Sequence, residues 1–175
     1  NAVMAYATRD WTLGTRYAVA TQSESLIAEP CPQVRYLPVT GAHGPAAARN
    51  VGWRAARGAL VAFTDDDCVP DPGWVRAVAA ALADGAAGGS GRVIIPLPDT
   101  PTDYERDAAG LADGQFVTAN CCYRYDVLSA VGGFDERFTA AWREDSDLYS
   151  SLLERGCQLI QATQAVVVHP VRPAA

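Results

Sequence analysis

The stretch that decides the fold is Leu60-Val61-Ala62-Phe63-Thr64-Asp65-Asp66-Asp67, an apolar run that ends in three consecutive carboxylates. The segment Leu60–Thr64 predicts a buried strand, because it is short, apolar and followed by polar loop residues. Clustered negative charge at the end of such a strand is costly unless a cation lies beside it. Open α/β sheets bind ligands at the carboxyl ends of their strands, and hard oxygen ligands suit Mg²⁺ or Mn²⁺. The stretch therefore predicts a metal site in an α/β protein.

A simpler alternative is that the three carboxylates only cap the helix that follows them. Asp71, however, stands directly before Pro72, and aspartate is favoured at the N-cap while proline is favoured at the first helical position. We therefore expect Asp71 to cap that helix and the triplet to hold a cation.

Composition limits the classes of function. The chain has 175 residues, of which 49% are hydrophobic, enough for one substantial core. Its net charge of −6 argues against nucleic acid as a partner. All 14 basic residues are arginine, and the absence of lysine excludes a Walker-type phosphate loop, a Schiff-base lysine and a Ser-Lys dyad. Arginine and a metal would have to neutralise any phosphorylated ligand.

The cysteines and the hydropathy pattern bear on location. The five cysteines are odd in number and show no C-x-x-C spacing, which argues against a disulfide framework or a zinc site and favours a reducing compartment. No apolar run is long enough to span a bilayer. We expect a cytoplasmic protein without a transmembrane segment in this chain, and peripheral docking at the inner face of the membrane stays open.

Strand and helix patterns alternate along the chain. Strands are predicted at 2–7, 34–39, 60–64, 87–95, 116–123, 159–162 and 165–168, and helices at 13–27, 45–57, 74–83, 102–111, 126–132 and 145–155. Strands that alternate with helices indicate a three-layer α/β/α domain with a mainly parallel, Rossmann-like central sheet.

A second acidic stretch, Glu144-Asp145-Ser146-Asp147, begins the last predicted helix. The helix dipole stabilises each carboxylate there by roughly 0.3–1 kcal/mol, which by itself would explain Asp147. A carboxylate in a partly enclosed site is also able to act as a general base toward a hydroxyl. Trp142 and the turn at 132–136 precede the helix, so an aromatic ring and a flexible loop are expected beside these carboxylates.

Taken together, these motifs resemble the two signatures of family 2 glycosyltransferases, which have the GT-A fold. The first signature is similar to Gly44-Pro45-Ala46-Ala47-Ala48-Arg49-Asn50-Val51-Gly52, Gly58 and Phe63-Thr64-Asp65-Asp66-Asp67. The second is similar to Phe116–Asn120, Gly132-Gly133-Phe134-Asp135-Glu136, Trp142, Glu144-Asp145-Ser146-Asp147-Leu148, Gly156 and His169. The resemblance implies a GT-A-like fold and a metal-dependent, inverting enzyme. Such an enzyme moves a sugar from a nucleotide-diphosphate sugar to a hydroxyl of a saccharide, lipid-linked or small-molecule acceptor.

The resemblance also implies individual roles. Asp67 is implied to bind Mn²⁺ or Mg²⁺, and Asp65 to contact ribose or metal-bound water. Asp66 stands with them on the cofactor-binding side of the site. As the variable middle position of the D-x-D motif, it is implied to point its side chain away from the metal. Asp145 is implied to deprotonate the acceptor hydroxyl, and its neighbour Glu144 to bind the acceptor.

Four further residues have two readings each. His169 completes the metal site in several relatives, but a histidine that ends an apolar strand also serves as a core or edge residue. The resemblance puts Arg49 near the diphosphate, whereas Arg49 could also pair with Asp65 and hold the strand end. Trp142 is either a platform for the apolar face of a sugar or a core residue. Asn50 is expected to fix a loop rather than to touch substrate.

The chain departs from the family pattern at its amino end. Relatives begin with a hydrophobic strand and an I-P-x-Y-N-like loop, and their second strand normally ends in V-D-D-G-S. Here the corresponding region reads Tyr6-Ala7-Thr8-Arg9-Asp10-Trp11, and Asp10 is a distant substitute. We therefore expect residues 1–175 to form a single catalytic domain that lacks the usual first strand and whose amino-terminal nucleotide-binding part is incomplete.

Two other classes of function stay open. A nucleotidyltransferase-type sugar-nucleotide enzyme also uses paired aspartates and a metal, but it would want a basic glycine-rich loop near the amino terminus, and none is visible. A non-catalytic relative that binds a sugar nucleotide is the other class. The Glu144-Asp145 pair argues against it, because a protein without activity has no need of a base.

Overall fold

A computed structural model describes residues 2–8, 16–21, 34–39, 41 and 44–171. The strands in these residues are β1 (Ala2–Thr8), β2 (Arg16–Thr21), β3 (Val34–Pro38), β4 (Leu60–Asp65), β5 (Val69–Pro70), β6 (Gly88–Ile94), β7 (Cys121–Arg124) and β8 (Leu159–Val168). The α-helices are α1 (Pro45–Arg54), α2 (Trp74–Ala81), α3 (Asp103–Ala109), α4 (Tyr125–Val131) and α5 (Glu144–Glu154). A short 3-10 helix, Gly110–Asp113, continues from α3.

The described strands form one sheet in the order β3-β2-β1-β4-β7-β6-β8-β5. Of its seven neighbouring pairs, only β2–β3 and β6–β8 are parallel, and the other five are antiparallel. The expectation of a mainly parallel sheet is therefore wrong, although the α/β class is correct.

Two connections explain this difference. The predicted helix at 13–27 is absent from the part that the structure describes, where Arg16–Thr21 pairs with β1 as an antiparallel strand. Tyr17 and Val19 are residue types that favour strands. Between β6 and β7 the chain passes through α3, which is described in full and has no buried residue. A helix that buries no face does not cross the sheet, so the chain returns antiparallel to β6.

Helices cover both faces of the sheet, as the three-layer prediction requires. Successive residues of β4 point to opposite faces of the sheet: Val61 and Phe63 lie on one face, and Ala62 lies on the other. The first face packs against α1, α4 and α5 through the core residues Ala46, Ala48, Trp53, Leu128, Leu148 and Leu152. The second face packs against α2 through Trp74 and Val78.

Other element boundaries also differ from those predicted. The predicted strand at 116–123 is a strand only from Cys121, because the chain turns before it: Phe116 has a left-handed backbone with φ 56°, and the Asn120 amide donates to the Val117 carbonyl at 3.0 Å. The predicted strands at 159–162 and 165–168 form one strand, β8, with an irregularity in its pairing to β6 between Gly91 and Arg92. The helix predicted at 74–83 begins at Trp74 and ends at Ala81. Its N-cap is Gly73, so the expectation that Asp71 caps it with Pro72 as the first helical residue is wrong, and the Asp71 carboxylate accepts a hydrogen bond from the Gly73 amide.

Candidate active site

The two-residue strand β5 brings the acidic triplet to the far edge of the sheet. β4 and β8 are separated by β7 and β6 in the sheet. The turn after β4 nevertheless leads into β5, where Val69 pairs with Val168 in antiparallel register. The next pair in this register would be Cys68 and His169, so the end of the triplet lies beside the end of β8. The His169 amide also donates to the Ile94 carbonyl at 2.8 Å, which holds the histidine beside β6.

Asp65, Asp67, Cys68 and His169 form one compact group of potential metal ligands. One ligand atom from each of the four lies within 4.8 Å of the others. His169 Nε2 is 3.5 Å from Asp67 Oδ1. Asp66 lies outside this group and its side chain is exposed, as expected for the middle position of the motif. The structure thus brings the three expected metal ligands together and adds a cysteine that the sequence reasoning had not considered for this site.

The electrostatics of the group suit a hard divalent cation. Burial raises the pKa of Asp65, the Arg49 guanidinium opposes that rise, and the nearby Asp67 carboxylate adds to it. A bound cation would offset both the cost of burying the Asp65 charge and the repulsion between Asp65 and Asp67. Burial and the Asp65 charge raise the pKa of the Cys68 thiol to about 12, so this thiol is protonated at neutral pH. Two carboxylates and an imidazole remain as donors, a set that fits Mn²⁺ or Mg²⁺ better than a soft metal.

Arg49 joins this cluster to the start of α5. Its side chain is 4% exposed, and its Nη2 atom lies 3.3 Å from Asp65 Oδ1. Its Nη1 atom donates a short hydrogen bond to Glu144 Oε1, and Glu144 is 3% exposed. The Phe134 ring lies under the guanidinium, with 5.7 Å from Cζ to the ring centroid. One buried arginine therefore contacts a carboxylate on the metal side and a carboxylate beside Asp145.

Asn50, the next residue of α1, fixes the glycine turn that carries Phe134. Its Nδ2 atom donates to the Phe134 carbonyl at 2.8 Å, and the Phe134 amide donates to its Oδ1 atom at 2.9 Å. The Trp53 indole donates to the same Oδ1 atom at 2.8 Å. This agrees with the expectation that Asn50 fixes a loop, and it explains how the Phe134 ring is held under Arg49.

The first turn of α5 presents Asp145 beside Glu144. Arg143 precedes the helix with φ 73°, a left-handed conformation that turns the chain sharply into α5. Asp145 is half-buried, and its Oδ1 atom accepts from the Ser146 amide at 2.7 Å. Trp142 is 71% exposed, which argues against the core role, and the Arg143 guanidinium lies 5.4 Å from its ring centroid.

Comparison with known proteins places this chain in a family. The profile described as "Glycosyl transferase family 2" matches residues 20–134, about two thirds of the chain. The chain belongs to glycosyl transferase family 2. The pre-mycofactocin glycosyltransferase of Mycobacterium tuberculosis is a relative in sequence. It is 29% identical over an alignment of 171 residues that includes 89% of this chain and 36% of that protein. Glycosyltransferase AglE of Haloferax volcanii is 29% identical over 140 residues, 74% of this chain and 45% of AglE. The family 2 chain thus spans less than half the length of these curated relatives.

Solved structures confirm the GT-A-like α/β fold of this family 2 chain. GalNAc-T7 with UDP, GalNAc and Mn²⁺ superimposes with a TM-score of 0.62 at 12% identity, over 80% of this chain and 33% of GalNAc-T7. Mannosyltransferase PcManGT from Pyrobaculum calidifontis, in complex with GDP-Man and Mn²⁺, gives 0.58 at 21% identity, over 82% of this chain and 42% of PcManGT. Among the helices that the structure describes, none is long and apolar enough to cross a bilayer.

Proposed function

We propose that this chain carries the catalytic site of a metal-dependent, inverting glycosyltransferase that moves a sugar from a nucleotide-diphosphate sugar to an acceptor hydroxyl. The observation that supports it best is the double contact of Arg49, with Asp65 on one side and Glu144 on the other. Through this contact a cluster suited to a divalent cation and a helix start that bears a candidate base belong to one site.

Asp65, Asp67 and His169 would hold Mn²⁺ or Mg²⁺. When bound, the ion supplies Lewis-acid stabilisation of the negative charge that develops on the departing diphosphate. Such a group suits this site, because the chain has no lysine and the arginine beside Asp65, Arg49, already contacts two carboxylates. Both structural neighbours are complexes of a nucleotide or nucleotide sugar with Mn²⁺, which supports a donor of this class.

Asp145 would act as the general base. Its half-buried carboxylate lies at the amino end of α5, where the helix dipole favours negative charge. The acceptor hydroxyl gives its proton to Asp145 as its oxygen forms a bond to the anomeric carbon. The bond between that carbon and the phosphate oxygen breaks, and its electron pair leaves with the diphosphate. One displacement of this kind inverts the anomeric centre.

Trp142 offers a surface for the acceptor. Its exposed indole lies three residues before Asp145, and the apolar face of a sugar ring packs well on an aromatic ring. The relatives are named glycosyltransferases, which supports a sugar or sugar-bearing acceptor without naming it. The free, mostly buried thiols of Cys68, Cys121, Cys122 and Cys157 fit a cytoplasmic location.

The proposal is tested by nucleoside diphosphate release from a panel of nucleotide sugars with Mn²⁺ or Mg²⁺. We expect turnover by the wild type, loss of turnover on chelation with EDTA, and loss of metal-dependent donor binding in Asp67→Asn. Asp145→Asn should still bind the donor but transfer roughly 10²–10⁴-fold more slowly, because general-base assistance contributes about that factor. The product should show the inverted anomeric configuration by NMR.

Asp147→Asn is the matched control, because Asp147 lies in the same helical turn and we expect it to act only as a partner of the helix dipole. It should keep most of the wild-type rate. Transfer by Asp145→Asn at the wild-type rate would refute the assignment of the base. Failure of every nucleotide sugar to bind would refute the proposed reaction.

A further inference from the structure

Glu144 is enclosed in a way that separates it from its neighbour Asp145. Its side chain is 3% exposed, whereas Asp145 is only half-buried. Its Oε1 atom accepts from Arg49, and its Oε2 atom is buried with no hydrogen-bond partner among the described residues. The Arg49 Nε atom is buried and unpartnered in the same way. A carboxylate so enclosed has little surface to offer an acceptor, so its main partner is the arginine.

Arg49 therefore pairs with two carboxylates, of which Asp65 belongs to the metal-ligand group and Glu144 does not. Its Nη1 atom donates to Glu144 Oε1, and its Nη2 atom donates to Asp65 Oδ1 at 3.3 Å. The formal charges of Arg49, Glu144, Asp65 and Asp67 sum to −2. Without the Glu144 charge, the sum would be −1, and among the described residues Asp65 would be the one carboxylate left to pair with the guanidinium. A divalent cation beside Asp65 and Asp67 would then meet less negative charge and a competing arginine.

We propose that Glu144 is a positioning residue that engages the Arg49 charge, so that Asp65 stays available to the divalent cation. The same bond ties the first turn of α5, and with it Asp145, to α1, and the second contact of Arg49 links α1 to Asp65 at the end of β4. This inference rests on the proposed function, since it assumes that Asp65 and Asp67 bind a metal. It concerns how Glu144 acts, through Arg49 and not through the acceptor.

The test measures Mn²⁺ affinity by isothermal titration calorimetry in the protein without substrate. Glu144→Gln should weaken Mn²⁺ binding on the order of tenfold, because one negative charge is lost near the cation. The double variant Arg49→Met with Glu144→Gln restores the sum of −2 and should bind Mn²⁺ about as tightly as the wild type. Glu154→Gln makes the same chemical change at the exposed carboxyl end of α5 and should leave Mn²⁺ affinity unchanged.

A kinetic measurement distinguishes this role from contact with the acceptor. At saturating Mn²⁺, Glu144→Gln should keep the acceptor KM of the wild type and lower kcat, whereas loss of an acceptor contact would raise KM. If thermal unfolding shows that Glu144→Gln does not fold, Glu144→Met carries the same prediction, because a neutral, flexible side chain suits the buried position.

The outcomes separate this inference from the proposed function. Wild-type Mn²⁺ affinity in the folded Glu144 variants, or failure of the double variant to recover affinity, would overturn the inference and leave the proposed function standing. A raised acceptor KM at saturating Mn²⁺ would likewise assign Glu144 to the acceptor. No Mn²⁺ binding by the wild type would overturn both.

Discussion

Replacing Gly133 by alanine should destabilise the protein far more than the same change at its neighbour Gly132. Both glycines have left-handed backbones, with φ +81° at Gly133 and +86° at Gly132. An alanine in that conformation costs roughly 1–2 kcal/mol at either position. The two positions differ in the space around them. A Cβ atom on Gly132 would meet no atom within 4 Å, whereas one on Gly133 would lie closer than 3.0 Å to the Trp53 indole and to Asn50 Oδ1.

The additional cost at Gly133 follows from what Asn50 does. Asn50 and Trp53 are buried, so neither can move away without disturbing the core. Displacing Asn50 would break its hydrogen bonds with the amide and the carbonyl of Phe134, each worth about 1 kcal/mol. We therefore expect a loss of about 1–2 kcal/mol for Gly132→Ala and of about 3–5 kcal/mol for Gly133→Ala, once steric strain is included.

Urea unfolding monitored by tryptophan fluorescence measures both changes, and the midpoint and slope together give the free energy of unfolding. Since the Phe134 ring packs under Arg49, Gly133→Ala should also weaken Mn²⁺ binding, and Gly132→Ala should not. Equal losses of stability in the two variants would refute the reasoning, because the backbone strain is common to both and only the close approach differs.

Two further predictions concern the core and the thiols. Leu152 is fully buried, so Leu152→Ala should lower the free energy of unfolding by about 2–5 kcal/mol. Leu153 lies on the same helix but is 48% exposed, so Leu153→Ala should lower it by about 0.5 kcal/mol or less. Equal thermal midpoints of the two variants would contradict this packing. Burial raises the pKa of Cys68 and Cys122 to about 12 and that of Cys121 well above its ordinary value. At pH 8 about one Cys68 or Cys122 thiol in ten thousand is ionised, so iodoacetamide should leave these three cysteines unmodified in the native protein and label them in urea, as read by mass spectrometry. Rapid native labelling of Cys68 would show that its thiol is not enclosed.

Local patterns were sufficient to predict the elements that carry the site. The apolar run before Asp65 predicted β4, Pro45 predicted the start of α1, and the acidic turn at Glu144 predicted the start of α5. These signals are strong because each depends on a few neighbouring residues: burial in a strand, a fixed φ at proline, and the dipole of a helix end.

Strand β5 and the direction of the strands were not predictable in this way. β5 is two residues long and its Val69 is exposed, so it has no periodic pattern. It nevertheless brings Asp67 beside His169 through its pairing with β8. The antiparallel directions depend on where each connecting helix packs, which is decided by distant residues.

The sequence by itself determined which chemical groups are available: a lysine-free, acidic chain with a carboxylate triplet after one strand and a carboxylate pair at the start of one helix. Only the tertiary structure decided how these groups share their charges. Arg49 and Glu144 are 95 residues apart in the chain, and their contact depends on α1 and α5 packing on the same face of the sheet. A local sequence pattern indicates the secondary structure that a residue forms with its neighbours. An ion pair between distant elements, by contrast, exists only once the core that joins those elements has formed.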